Sequence, residues 1–168
     1  MTSFGDLYSR HVADVFRFAL YLSGNRAEAE DITSETFVRA WTAPEPIRMA
    51  TVKGYLFTIA RNLFLQGRRR TSRQVELSEE LKDPAEGPQV RAEHDSELAL
   101  ALAALQRLPE VDRAALLMRA MDELPYEEIA RALQISLSAA KTRVHRARMA
   151  LADLRHESIV DSSTREDT

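Results

Sequence analysis

The chain has 168 residues, 45% hydrophobic and 29% charged, which is enough apolar content for one ordinary domain or two small helical ones. No apolar run approaches the about eighteen residues that would cross a bilayer. The N-terminus lacks the basic start and apolar stretch of a signal peptide. With no cysteine, disulfides and thiolate metal sites are excluded, which fits a cytoplasmic protein.

Charge is segregated along the chain. Residues 1–73 carry 11 Lys/Arg against 7 Asp/Glu, and residues 98–156 carry 9 against 7. Between them, residues 74–97 carry 2 against 8, and residues 157–168 carry 1 against 4. Two mildly basic blocks are therefore joined by an acidic strip. Glycine and proline are scarce, and Val and Ile do not alternate, so helix is expected nearly everywhere and sheet nowhere.

In chain order, residues 4–23 predict a first helix, with Tyr8, Val12, Val15, Ala19 and Leu22 on one face and Gly24 at its end. Asn25 suits the N-cap of a second helix running to about Trp41, with Glu28 completing a capping-box-like pair. Pro44 and Pro46 break it. Thr51 suits the cap of a third helix, with Val52, Leu56, Ile59 and Leu63 on one face and Arg68, Arg69, Arg70 and Arg73 at its end. From Gln74 the period dissolves among acids, Pro84, Gly87 and Pro88, the composition of a flexible linker. Helical period resumes with Leu98, Leu102, Leu105 and Leu108. Pro109 suits the start of the next helix and Pro125 the start of another. Ser136 suits the N-cap of the last, where Ala140, Val144, Ala147, Leu151 and Leu154 share a face. Residues 157–168 are polar and expected to be disordered.

The strongest functional signal lies in residues 126–148, YEEIARALQISLSAAKTRVHRAR. Two short helices with a tight turn make the helix-turn-helix pattern, with Ile129, Ala130, Leu133, Ile135, Val144 and Ala147 as its shared core. Ser138, Lys141, Thr142, Arg143, His145, Arg146 and Arg148 are then left outward, with no acid among them. A solvated helix face normally mixes both signs. An acid-free one suits a recognition helix, where cations neutralise phosphates and polar side chains reach base edges.

These residues resemble the domain four of the extracytoplasmic-function (group four) sigma factors, together with Leu108-Pro109, the motif Glu128-Ile-Ala and the segment KTRVHRAR at 141–148. Two earlier segments resemble the same family. AEDITSETFVRAW at 29–41 is similar to its core-binding helix, and GYLFTIARNL at 54–63, running on to Arg70, is similar to its promoter-melting helix. The turn departs from the family's pattern at Gln134, where glycine is common.

The resemblance implies an all-α protein of two small helical domains joined by a flexible acidic linker, the C-terminal one containing the helix-turn-helix. Residues 1–73 would form sigma domain two, 74–97 the linker, 98–156 sigma domain four and 157–168 the tail. It further implies a sigma factor that takes core RNA polymerase to promoters, reading the −35 element with domain four and melting the −10 element with domain two. The implied partners are the polymerase β′ clamp helices and β flap, double- and single-stranded promoter DNA, and an anti-sigma factor. No membrane insertion is expected.

Promoter melting needs a basic surface for the strand and a pocket or aromatic platform for an unstacked base. Arg48 and Met49 in the preceding loop, and Lys53, Tyr55, Arg61 and Asn62 on the third helix, could supply these. Tyr55 could equally be core, as aromatics at helical spacing usually are. Arg68, Arg69, Arg70 and Arg73 suit duplex phosphates, or a solvated helix end that complements the helix dipole. Asp31, Glu35 and Arg39 recur every four residues on one face, where they could meet the β′ clamp helices, pair within the helix, or both.

No enzyme site stands out. There is no glycine-rich phosphate loop, the four histidines lack metal-ligand spacing, and the carboxylates are expected on exposed helix faces and in the linker. No cofactor is expected. A dimeric helix-turn-helix regulator without polymerase binding is the competing reading, and an accessory or adaptor domain with charged helices a third.

Overall fold

A computed structural model of the chain describes residues 3–43, 49–77 and 96–166, and in them every regular element is a helix. Helix α1 spans Phe4–Ser23. Ser3 Oγ accepts the Asp6 N–H and the Asp6 carboxylate accepts the Ser3 N–H, a full capping box. Gly24 ends the helix at φ 69°, the left-handed region that glycine enters without a Cβ penalty. Helix α2, Arg26–Thr42, starts where Asn25 Oδ1 accepts the Glu28 N–H at 2.9 Å. The reciprocal half of that expected box is absent, because the Glu28 carboxylate turns instead toward Arg68, 3.8 Å away.

Helix α3, Val52–Leu77, runs three residues past Gln74, where the helical period fades. It packs against α1 and α2 around Val15, Phe18, Leu22, Phe37, Leu56, Phe57 and Phe64. Phe18 and Phe57 stack at 4.6 Å between ring centroids, a geometry that adds to the area they bury. Phe18 falls outside the expected stripe on α1 yet is fully buried, whereas Tyr8 and Val52, expected inward, are exposed. Residues 78–95, the greater part of the expected linker, lie outside the described residues.

The second half comprises α4 (Ser96–Gln106), α5 (Glu110–Ala120), α6 (Tyr126–Leu133) and α7 (Leu137–Glu166). Pro109 and Pro125 stand at the N-caps of α5 and α6 with extended ψ of 143° and 145°. There the missing N–H costs nothing. Ser136 caps α7 by accepting the Ala139 N–H. That helix continues through Glu166, where a polar tail without structure was expected from residue 157. Once nucleated by packed early turns, a helix gains one hydrogen bond for each residue it fixes.

The two halves close on each other: α1 lies against α4 and α5, and α3 against α6. One apolar core runs from Val15 and Phe57 through Leu105 and Met118 to Ile129 and Val144.

Candidate nucleic-acid interface

Helices α6 and α7 form the helix-turn-helix. Ile129, Ala130, Leu133, Ala140, Val144 and Ala147 are buried between them and α5. The turn is closed at Gln134, which adopts φ 56°, ψ 46°. Its N–H reaches the Ala130 and Arg131 carbonyls, and the Ile135 N–H reaches Ala130 O at 3.0 Å, the bonding of a Schellman close.

On α7, Ser138, Lys141, Thr142, His145, Arg146 and Arg148 are exposed and share the outward surface. Arg143 differs. It is half-buried, and its guanidinium donates to Asp112 Oδ1 on α5 at 3.0 Å. Asp112 is itself 1% exposed. Arg143 therefore ties the recognition helix to the body of the fold, with part of its guanidinium left toward solvent.

The residues expected to serve strand opening divide into two sets. Asn62, Arg69, Arg70 and Arg73 are exposed along α3. Arg68 is also exposed, and it donates to Ser23 O at 3.2 Å while covering the Phe64 ring. Arg61 instead faces the second half, and Lys53 sits between α1 and the second half. The Arg61 Nε and Nη2 donate to the two Glu110 oxygens at 2.7 and 2.8 Å, a bidentate pair with Arg61 buried. Lys53 Nζ lies 3.3 Å from Asp14 and 3.4 Å from Asp122. Tyr55 and Met49 are half-buried, and Met49 packs on the core. Arg48 lies outside the described residues.

At the start of α3, Glu128 of α6 reaches across. Its Oε1 accepts the Thr51 N–H at 2.8 Å and the Thr51 Oγ–H at 2.6 Å, while Thr51 Oγ accepts the Gly54 N–H. Glu128 is 3% exposed. The expectation that carboxylates sit on exposed faces is thus corrected at Asp112 and Glu128: both are buried because a cation or a helix terminus receives them. The signal was present in the sequence. Asp112 stands between Leu108 and Leu116, and Glu128 between Leu124 and Ala132, each four residues away and each buried. An acid on an inward stripe calls for a partner.

Burial raises the Asp122 carboxyl above its usual range, with Lys53 and Arg17 opposing the shift only in part. For Lys53, burial works against the charge, but Asp14 and Asp122 outweigh it and lift the ammonium above its ordinary value. The asymmetry follows from geometry: Asp122 is the more enclosed group, while Lys53 faces two carboxylates. Nearby, His11 is lowered by burial first and by Lys53 second, and its Nδ1 is buried with no hydrogen-bond partner.

Asp31, Glu35 and Arg39 all lie exposed on α2, and Arg39 Nε donates to Glu35 Oε1 at 3.1 Å. Val38 and Trp41 are exposed beside them, and Trp41 meets Phe4 edge-on at 5.6 Å.

A helix-turn-helix whose second helix presents exposed cations and no acid over residues 138–148, preceded by a three-helix module with exposed arginines towards the end of α3, is the arrangement of a DNA-binding protein. Residues 7–74 match the Sigma-70 region 2 family and residues 98–151 the Sigma-70 region 4 family. The chain is 30% identical over 162 residues to the ECF RNA polymerase sigma factor SigM of Bacillus subtilis, covering 93% of this chain and 97% of that protein. It is 40% identical over 158 residues to the ECF RNA polymerase sigma factor SigE of Mycolicibacterium smegmatis, covering 91% of this chain but 62% of that longer protein. Among solved structures, the sigma factor RpoE of Bartonella quintana, in complex with the anti-sigma factor NepR, superposes with a TM-score of 0.78 at 26% identity. That match covers 93% of this chain and 98% of that one. The chain belongs to the extracytoplasmic-function family of RNA polymerase sigma factors.

Proposed function

We propose that the chain acts as an initiation factor that binds core RNA polymerase, carries it to promoters and opens the DNA there, contributing binding and no covalent chemistry of its own. The observation that carries this reading is the pairing, in order, of a region 2 module with a region 4 module. A dimeric regulator has no use for the first of these. Residues 1–73 serve as domain two and 98–156 as domain four, with 74–97 as the linker and 157–168 as a tail.

In this reading Ser138, Lys141, Thr142, His145, Arg146 and Arg148 meet the −35 element. The cations fix register on phosphates and the polar side chains reach base edges. Arg143 contributes mainly by holding the helix. Arg48, Met49, Lys53, Tyr55, Arg61, Asn62, Arg68, Arg69, Arg70 and Arg73 serve the −10 element and its melted strand. Arg61 becomes available only when α3 parts from α5, a movement that also takes Asp122 from Lys53 and leaves it with Asp14 of α1. The exposed face of Asp31, Glu35 and Arg39, next to Val38 and Trp41, suits the polymerase clamp. An anti-sigma factor is a fitting partner, since the structural relative RpoE is bound to one. None of the described helices is long and apolar enough to cross a membrane, and a polymerase subunit works in the cytoplasm.

Run-off transcription with purified core polymerase on a genomic promoter library tests the reading. The chain should yield discrete start sites that core alone does not. Duplex binding without any core-dependent transcript would favour the dimeric regulator.

A further inference from the structure

Between α3 and the second half, three anion-attracting places on α3 meet carboxylates of the other side, while Lys53 also pairs with Asp14 of α1 and Arg68 turns to Glu28 of α2. Thr51 and Gly54 face Glu128, Lys53 faces Asp122, and Arg61 faces Glu110. Gly54, Arg61 and Arg68 recur every seven residues, two helical turns apart on one stripe of α3. The acids come from three different places: the start of α5, the turn after it, and α6.

The tightest of these contacts is at the N-terminus of α3, where orphan N–H groups and the helix dipole favour an anion. Glu128 fills that place with a single oxygen. Its other oxygen, Oε2, is buried with no hydrogen-bond partner, so the carboxylate satisfies the helix terminus while leaving its own acceptor capacity unused. Gly54 makes room for it: a Cβ there would lie 2.7 Å from Glu128 Cδ and 3.0 Å from Cγ. Gly54 sits within a helix without positive φ, so it is space and not backbone freedom that requires a glycine. A carboxylate one oxygen short of a full fit, opposite a glycine cleared for close approach, has the character of a stand-in. The anion for which more oxygens and close backbone approach are natural is a phosphodiester.

We propose that the N-terminus of α3, built from the Thr51 N–H, the Thr51 hydroxyl and the space above Gly54, is a binding site for a DNA backbone phosphate, and that Glu128 occupies it in the phosphate's place while the two halves are closed. DNA at this site and closure of the seam then exclude each other. The proposal deepens the promoter-opening reading above and rests on it. Asp122 and Glu110 extend the same substitution along α3, holding Lys53 and Arg61 as a strand would hold them.

The test uses the full chain and a fluorescein-labelled mixed-sequence 12-nucleotide DNA, as single strand and as duplex, with binding followed by anisotropy at fixed salt. Glu128→Ala should bind at least one of these probes about tenfold more tightly than the unsubstituted chain, as loss of a competing contact and gain of a phosphate contact predict. The gain should disappear in Glu128→Ala/Thr51→Val and persist in Glu128→Ala/Thr51→Ser, which keeps the hydroxyl. A gain on single strand alone assigns the site to the melted strand, and one on duplex alone to the flanking helix. If Glu128→Ala proves poorly folded by circular dichroism, Glu110→Gln, which loosens the seam away from Thr51, should give a gain with the same dependence on Thr51. Binding no tighter in the seam variants, or a gain indifferent to Thr51→Val, overturns the proposal. The second outcome leaves the DNA-binding reading standing, because the DNA would then sit elsewhere on the exposed surface.

Discussion

Gln134 holds a backbone conformation, φ 56°, that costs a side-chain-bearing residue about 1–2 kcal/mol and glycine almost nothing. Part of that gain is returned through the greater freedom of glycine in the unfolded chain. Gln134→Gly should therefore raise stability by about 0.5–1 kcal/mol in urea denaturation without altering the exposed recognition surface. Arg143 and Arg146 stand three residues apart on α7 but should behave differently. Arg143→Ala leaves Asp112 buried without its cation, and a stability loss of about 1–3 kcal/mol is expected, reduced from the fully buried case by the partial exposure of Arg143. Arg146→Ala should leave stability within about 0.5 kcal/mol yet weaken promoter binding by about 1–3 kcal/mol where the side chain meets a base. Thermal melts and duplex-binding titrations on the same two variants separate anchoring from recognition. Equal stability losses would show that Arg146 is also structural.

At the scale of elements, α1 is more than a core helix, because its polar edge forms one side of the seam. His11, Asp14 and Arg17 lie there beside Lys53 and Asp122. Burial and the Lys53 ammonium hold the His11 pKa below the 6.5 of an unperturbed imidazole. Between that value and the lower folded one, the unfolded chain binds more protons than the folded chain, so stability rises with pH through the window. The contribution is fully present above 6.5 and is lost on acidification through the folded pKa. Urea midpoints measured between pH 7.5 and pH 5.5 should fall with pH, and His11→Asn should flatten that slope. Asp122 acts in the opposite sense at lower pH. Its carboxyl is raised from 3.8, so the folded state takes up the proton first and this group favours folding as pH drops through its folded value.

At the scale of the molecule, the bidentate Arg61–Glu110 pair, the Glu128 contact and the Gln106 amide on Tyr21 O fasten one half to the other. An enclosed bidentate pair is screened less by salt than a surface pair, while removing one partner leaves the other charge uncompensated. Glu110→Arg places two guanidinium groups face to face and should open the seam. Small-angle scattering should then show a larger radius of gyration than the unsubstituted chain, with little loss of helical circular dichroism. An unchanged radius would mean that the apolar contacts, such as those around Phe64 and Leu105, hold the halves together without this pair.

What was legible in the sequence is whatever depends on neighbours along the chain. Capping at Asn25, Thr51 and Ser136, helix starts at Pro109 and Pro125, and the stop at Gly24 rest on side chains acting within four residues of themselves. The helix-turn-helix core followed from helical period alone, as did the exposure of the cationic face of α7 except at Arg143, which turns to Asp112 of α5. Local pattern also misplaced some residues. Tyr8 and Val52 share their helices' apolar period but stay exposed, Tyr8 meeting Phe37 of α2 only edge-on at 5.1 Å, and Phe18 is buried because α3 brings Phe57 against it. The seam depended wholly on tertiary structure. Glu128 lies 77 residues from Thr51 and Glu110 lies 49 from Arg61, and an acid's period along its own helix shows that it points inward without showing what it meets there. Lys53 and Arg61 carry the same charge in either setting. Whether they face DNA or a carboxylate is decided by how the two halves close, because the desolvation of a buried charge can be offset only by a partner that the fold delivers.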